Sequence, residues 1–181
     1  MKMPRRGARV IFGAVIAYAA TAQAESRFGP HDVRTLYEIG KNLDKNVVQY
    51  GIRLDKDCVP VGNEPIYAYW RQFEQGPEVT EDLNFLDKQG YGIKGEWVTK
   101  RSAEGSKVLM TLRATDRPVA ILVKRSDDGR CVGDAIATIN GAPAHLERVF
   151  VHVAGFLKVD WVEIRGTSVA DGKPVAERVN R

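Results

Sequence analysis

Two carboxylates come nearest to catalytic chemistry in this 181-residue chain. Glu147 and Glu163 fall in consecutive extended-looking runs, Ala144–Ala154 and Lys158–Arg165, so they can approach across a sheet. General acid–base catalysis uses such a pair when their surroundings push the two pKa values apart. With Arg148 and Tyr91 they would make a carboxylate/Arg/Tyr site for a hydrolase or lyase. Arg148 and Arg165 stand equally close in sequence, however, and cross-strand ion pairs on a solvated face are common. The charge ladder is the stronger expectation and the acid/base pair the alternative.

The other routes to chemistry are thinner. His145 and His152 are seven apart, which in an uninterrupted strand puts them on opposite faces; sharing a metal would need a bulge. No G-x-S-x-G turn presents a serine nucleophile, and Gly90-Tyr91-Gly92 lacks the third glycine of a phosphate loop. Cys58 and Cys131 have no zinc-like spacing, because zinc ligands come in close pairs such as C-x2-C. The sequence therefore predicts no catalytic residue, no metal and no cofactor.

The aromatic residues are more suggestive. Tyr67, Tyr69 and Phe73 alternate onto one face of a single extended run, with Trp70 on the other. Bulky core packing explains such a set well. The functional reading is an aromatic-lined pocket or barrel mouth for an apolar or sugar-like ligand, formed from Tyr67, Tyr69, Trp70, Tyr91 and Trp161.

Strands must position all of these residues. Period-two segments rich in β-branched and aromatic residues occupy Asn46–Leu54, Pro65–Phe73, Ser106–Ala114, Pro118–Arg125, Cys131–Ile139, Ala144–Ala154, Lys158–Arg165 and Lys173–Val179. Asn140-Gly141 suits a type I′ turn and predicts a hairpin. Thr80 followed by Glu81 and Asp82 predicts a short helix over Glu81–Gln89, with Leu83, Phe85 and Leu86 on its apolar side and Gly90 as its stop. Val33, Leu36 and Tyr37 at spacing three and four suggest a second helical turn within Asp32–Gly40. The expected architecture is all-β with one or two short helices: an antiparallel β-barrel or β-sandwich of about eight or nine strands.

Residues 1–24 have the three parts of a secretory signal peptide: bases at Lys2, Arg5, Arg6 and Arg9, an apolar run Val10–Ala20, and Ala22-Gln23-Ala24 before Glu25. The expectation is cleavage after Ala24 and a periplasmic or secreted protein with no integral membrane segment. Residues 25–35 read as a flexible N-terminal arm and 36–181 as one β-rich domain. The leader holds four of the 27 bases and none of the 23 acids, which leaves 23 of each and a formal charge of zero. A pI argument for nucleic-acid or anionic-membrane binding therefore fails. In an oxidising compartment Cys58 and Cys131 are expected to pair, with two buried free thiols as the alternative.

Several phrases stand in a recognisable order: Ile66-Tyr67-Ala68-Tyr69-Trp70, Gly90-Tyr91-Gly92-Ile93 and Ile139-Asn140-Gly141, then Arg148-Val149-Phe150-Val151, Val162-Glu163-Ile164-Arg165-Gly166 and Asp171-Gly172-Lys173-Pro174-Val175 with Glu177-Arg178. Over Leu36–Val179 the chain resembles an exported bacterial family known as domain of unknown function 4833. The resemblance implies an exported small β-domain and carries no activity. The leading expectation is thus a monomeric, non-enzymatic domain that binds an unknown small molecule or an envelope protein. A structural accessory of the envelope is a further alternative.

Overall fold

The computed structural model describes residues 28–42, 44–76, 79–102, 105–112, 117–154 and 158–180. The expected leader, residues 1–24, and its expected cleavage site lie outside them. Eleven strands and one short helix are described: β1 (Val33–Lys41), β2 (Val47–Ile52), β3 (Ile66–Arg71), β4 (Thr80–Asp82), α1 (Phe85–Tyr91), β5 (Ile93–Lys100), β6 (Ser106–Leu112), β7 (Pro118–Arg125), β8 (Cys131–Ile139), β9 (Ala142–Ala154), β10 (Lys158–Ser168) and β11 (Pro174–Asn180). The protein is all-β, as expected. Nine strands in the order β4-β3-β2-β1-β9-β8-β7-β6-β5 curl into a half-barrel, and β10 and β11 branch from β9.

The branch follows from the length of β9. A strand has two edges, and β10 takes one of them from Ala144 to Ala154. On the other edge β8 pairs antiparallel with Ala142–His145, and β1 pairs parallel with Arg148–Val151. Two wings, β1–β4 and β5–β8, therefore meet end to end on one strand. At the junction Arg165 pairs with Arg148 but Gly166 pairs with Leu146, so Glu147 is the extra residue of a β-bulge. Only glycine fits opposite it, because a Cβ on Gly166 would lie 2.0 Å from the carbonyl oxygen of His145.

Alternation along each strand builds one core between the wings. Tyr37, Ile39, Val48, Tyr50 and Ile52 face inward from one wing, and Val108, Met110, Leu112, Val119 and Ile121 from the other. Tyr37 and Tyr50 stack with centroids 4.5 Å apart, and the Tyr37 hydroxyl donates to the Met110 sulfur at 3.9 Å. The Cys58–Cys131 disulfide ties the loop after β2 to the start of β8. Asn140 (φ 51°) and Gly141 (φ 80°) form the expected tight hairpin.

Two helix expectations are corrected. Residues 33–41 form β1, and the register shift between Val33 and Tyr37 is a strand irregularity that gives the apolar residues helix-like spacing. β1 also begins inside the stretch read as an arm. The short helix starts at Phe85 rather than Glu81, because Thr80, Glu81 and Asp82 pair with β3. Asn84 caps it in a reciprocal box with Asp87. Leu83 is buried outside the helix, while Phe85 and Leu86 are 75% and 76% exposed. β5 was not foreseen; its lysines, glycine and register shifts blur the period-two pattern.

Candidate functional site

The five aromatic residues expected to share a pocket fall into three places. Tyr67 and Tyr69 do point to one face, the outer one, where they lie side by side under Phe28 at 5.7 and 5.0 Å. Their hydroxyls are engaged: Tyr69 donates to Gln49 Oε1 at 2.8 Å and Tyr67 to the Val33 carbonyl at 3.4 Å. Trp70 points the other way, edge-on to Tyr91 at 5.3 Å, with its indole N–H donating to Asp87 at 3.0 Å. Phe73 lies beyond the end of β3. Burial pushes the phenols of Tyr67, Tyr69 and Tyr91 up, so all three keep their protons at neutral pH.

Of the five, Trp161 alone lines a described cleft. It opens on the outer face where β9, β10 and β11 run together, with a volume of about 220 Å³, and is lined by Arg148, Phe150, Trp161, Glu163, Arg165 and Arg178. Register explains the assembly. Glu38, Arg148 and Arg165 form one row across β1, β9 and β10, and Gly40, Phe150, Glu163 and Arg178 form the next across β1, β9, β10 and β11. Their inward neighbours Val149, Val151, Val162 and Ile164 are buried, which fixes these side chains outward.

Charge within the cleft is partly matched. Arg165 grips one oxygen of Glu163 through Nε and Nη2, and Arg178 reaches the other at 3.3 Å. Those bonds, with Arg165 first, hold the Glu163 carboxyl below the usual range. Arg178 also sits over the Trp161 ring at 4.0 Å, and His152 stacks on Trp161 at 4.8 Å. Arg148 is different. Its nearest carboxylate, Glu38, is 3.5 Å from Nε, and among the described residues that buried nitrogen has no hydrogen-bond partner. Gly40 makes room for it: a Cβ there would come within 2.9 Å of Arg148 Nη2.

This arrangement suits oxyanion binding better than proton transfer. Three guanidinium groups from three adjacent strands face one shallow cleft, and Arg148 retains donors for a carboxylate or phosphate. Of the groups of the acid/base alternative, Arg148 and Glu163 share the cleft, but Glu147 and Tyr91 do not line it. Glu147 accepts from Thr167, Glu163 is held ionised by two arginines, and Tyr91 lies against Trp70. The bulge at Glu147 does place His145 and His152 on one face. They remain roughly 20 Å apart along the strand, and His145 instead contacts Asp134 at 2.6 Å. Among the described residues, no cluster of three or more His, Cys, Asp or Glu is placed to hold a metal ion.

Sequence reasoning set Arg148 and Arg165 beside Glu163 but assigned Trp161 to the aromatic set, and it did not join any of them to Arg178 or Glu38. The signal was the outward alternation of β9–β11; the register that aligns the rows was hidden.

Among the described residues, no helix is long and apolar enough to cross a membrane. The chain belongs to the family described as Domain of unknown function (DUF4833), which matches residues 37–178. No curated protein and no solved structure matches it.

Proposed function

We propose that this family member is an exported, non-enzymatic binding domain whose outer cleft takes a small anionic molecule with a sugar-like or apolar body. The observation that carries this reading is Arg148, whose Nε has the Glu38 ion pair at 3.5 Å but no hydrogen bond among the described residues, beside two further arginines around a 220 Å³ cleft. Arg148 supplies the primary hook for the ligand's oxyanion, and Arg165 and Arg178 add positive potential while staying anchored on Glu163. Phe150 and Trp161 give the ligand's body an apolar wall. Export rests on the basic, apolar and small-residue order of residues 1–24, and the Cys58–Cys131 bridge supports an oxidising destination.

Calorimetric titration with glucuronate, inorganic phosphate and uncharged glucose tests the site. The two anions bind, glucose does not, and Arg148→Gln weakens the anions about tenfold or more, as loss of a charge-assisted bond implies. Absence of anion binding, or equal binding by Arg148→Gln, overturns the assignment. Export is tested separately by the intact mass of protein recovered from its host: a chain beginning at Glu25 supports it and an uncleaved chain rejects it.

A further inference from the structure

The outer face of the β5–β8 wing differs from the arginine cleft and is independent of it. Pairing aligns Trp97 of β5, Leu109 of β6, Ala120 of β7 and Ile136 of β8 in one lateral row. Leu122 and Val132 extend it on the same face, and both are exposed, as is Trp97 at 49%. With strands about 4.8 Å apart, the row spans about 15 Å. These side chains stand outward because their neighbours Val108, Met110, Val119, Ile121, Ala135 and Ala137 fill the core.

Charge on this face is one-sided. Lys100 and Lys107 pair across β5 and β6, Lys107 pairs with Leu122, and Lys124 pairs with Val132, so three exposed lysines border the same flank of the apolar row. Among the described residues none of the three is in an ion pair. Arg125 and Arg130 at the neighbouring turn are matched by Asp57 and Asp128. Asp134, on the same face, is engaged with His145. An open cleft of about 490 Å³, lined by Asn63, Trp97, Val98, Thr99, Lys100 and Arg101, continues the basic border at the β5 edge.

We propose that this face docks onto an anionic lipid surface, with Trp97, Leu122 and Val132 entering the headgroup boundary and Lys100, Lys107 and Lys124 meeting acidic headgroups. An outward apolar strip with an exposed indole and a lysine flank matches an interface that is apolar beneath and negative above. A second copy fits worse, because among the described residues the one carboxylate within the apolar row's flank, Asp134, is already engaged with His145 and leaves none to meet a partner's lysines.

Co-sedimentation of the leaderless chain with vesicles of phosphatidylcholine, with and without phosphatidylglycerol, tests the proposal. The chain partitions onto phosphatidylglycerol vesicles at low salt and is released by high salt. Replacing Lys100, Lys107 and Lys124 with Ser lowers partitioning on the order of 100-fold, at about tenfold or less per basic residue. Trp97→Ser also lowers it, and both variants keep the wild-type melting temperature because only exposed side chains change. Equal binding to uncharged vesicles, no vesicle binding, or wild-type binding by both variants overturns the proposal. Two outcomes would reassign the face and overturn the lipid reading: a dimer that Trp97→Ser dissociates, without vesicle binding, or retention by polyglutamate alone.

Discussion

The outer faces of β9–β11 and of β5–β8 belong to one curled sheet and cover one core, yet they carry different chemistry. On β9–β11 the outward residues are arginines, a glutamate and aromatic rings already engaged with one another: Arg165 and Arg178 on Glu163, Arg178 and His152 on Trp161. On β5–β8 the outward row is apolar, and among the described residues Lys100, Lys107 and Lys124 are in no ion pair. Inward positions are constrained by packing to apolar residues on both sides. Outward positions are free to differ, and function is written there. On the readings proposed above, one face is a cleft for a small anion and the other the outer side of a curled wing that meets a lipid surface.

The contrast depends on the two wings being held in one frame, and breaking that frame has the largest expected effect. The disulfide closes 73 residues and joins the wings. Replacing Cys58 and Cys131 together with Ser lowers unfolding stability by about 4 kcal/mol in the chain-entropy picture, measured by denaturant titration. A loss below about 1 kcal/mol would show that the core alone fixes the wings.

A second break acts at the fork itself. Gly166→Ala forces a Cβ against the His145 carbonyl, a backbone atom that cannot swing aside. The expected cost is about 3 kcal/mol, at the upper end for overpacking. Because the bulge also sets the outward direction of Arg148, anion binding falls with it. Full retention of both stability and binding would mean the sheet forks without the bulge.

That bulge marks where the sequence stops being legible. The strands around Pro118–Arg125 and Cys131–Ile139, and the Asn140-Gly141 hairpin, are visible because alternation and turn chemistry are local. Glu147 looks like any other strand residue; only its pairing with distant β10 makes it the extra one. The parallel pairing of β1 with β9 is hidden for the same reason, as is Arg178's place beside Glu163. Helix propensity misled where tertiary pairing won: Thr80–Asp82 joined β3, and the helix waited for Asn84. The site's residue types were therefore readable, but its geometry was not.

A third measurement sharpens the comparison by acid titration. Glu177 on β11 grips Arg117 before β7 and accepts from the Asn140 backbone at 2.7 Å, clasping the β9–β11 sheet to the β5–β8 wing. Arg117, then the Asn140 N–H, hold its carboxyl down to about 2. Since the folded value lies below the ordinary 4.5, the clasp stabilises fully above that pH and is lost as pH falls toward 2. Both side chains are partly exposed, so the contribution is about 1.5 kcal/mol. Glu177→Gln should remove that amount at neutral pH and flatten the stability loss between those two pH values. An unchanged acid limb would assign the loss to other carboxylates.

The smallest effect separates the two faces most directly, through their tryptophans. Trp161 is packed between Phe150 at 5.7 Å, His152 and Arg178, so Trp161→Ala removes stacking and cation–π contacts and costs about 1 kcal/mol. Trp97, half exposed on the apolar row, has no ring or cation partner among the described residues, so Trp97→Ala changes stability by no more than about 0.5 kcal/mol. Thermal melts of the two variants side by side give the ordering. The binding assays should invert it: Trp97→Ala impairs vesicle partitioning and leaves glucuronate titration intact, while Trp161→Ala does the reverse. If Trp97→Ala proved the more destabilising, the indole would be holding the wing together, and its exposure would no longer point to a partner.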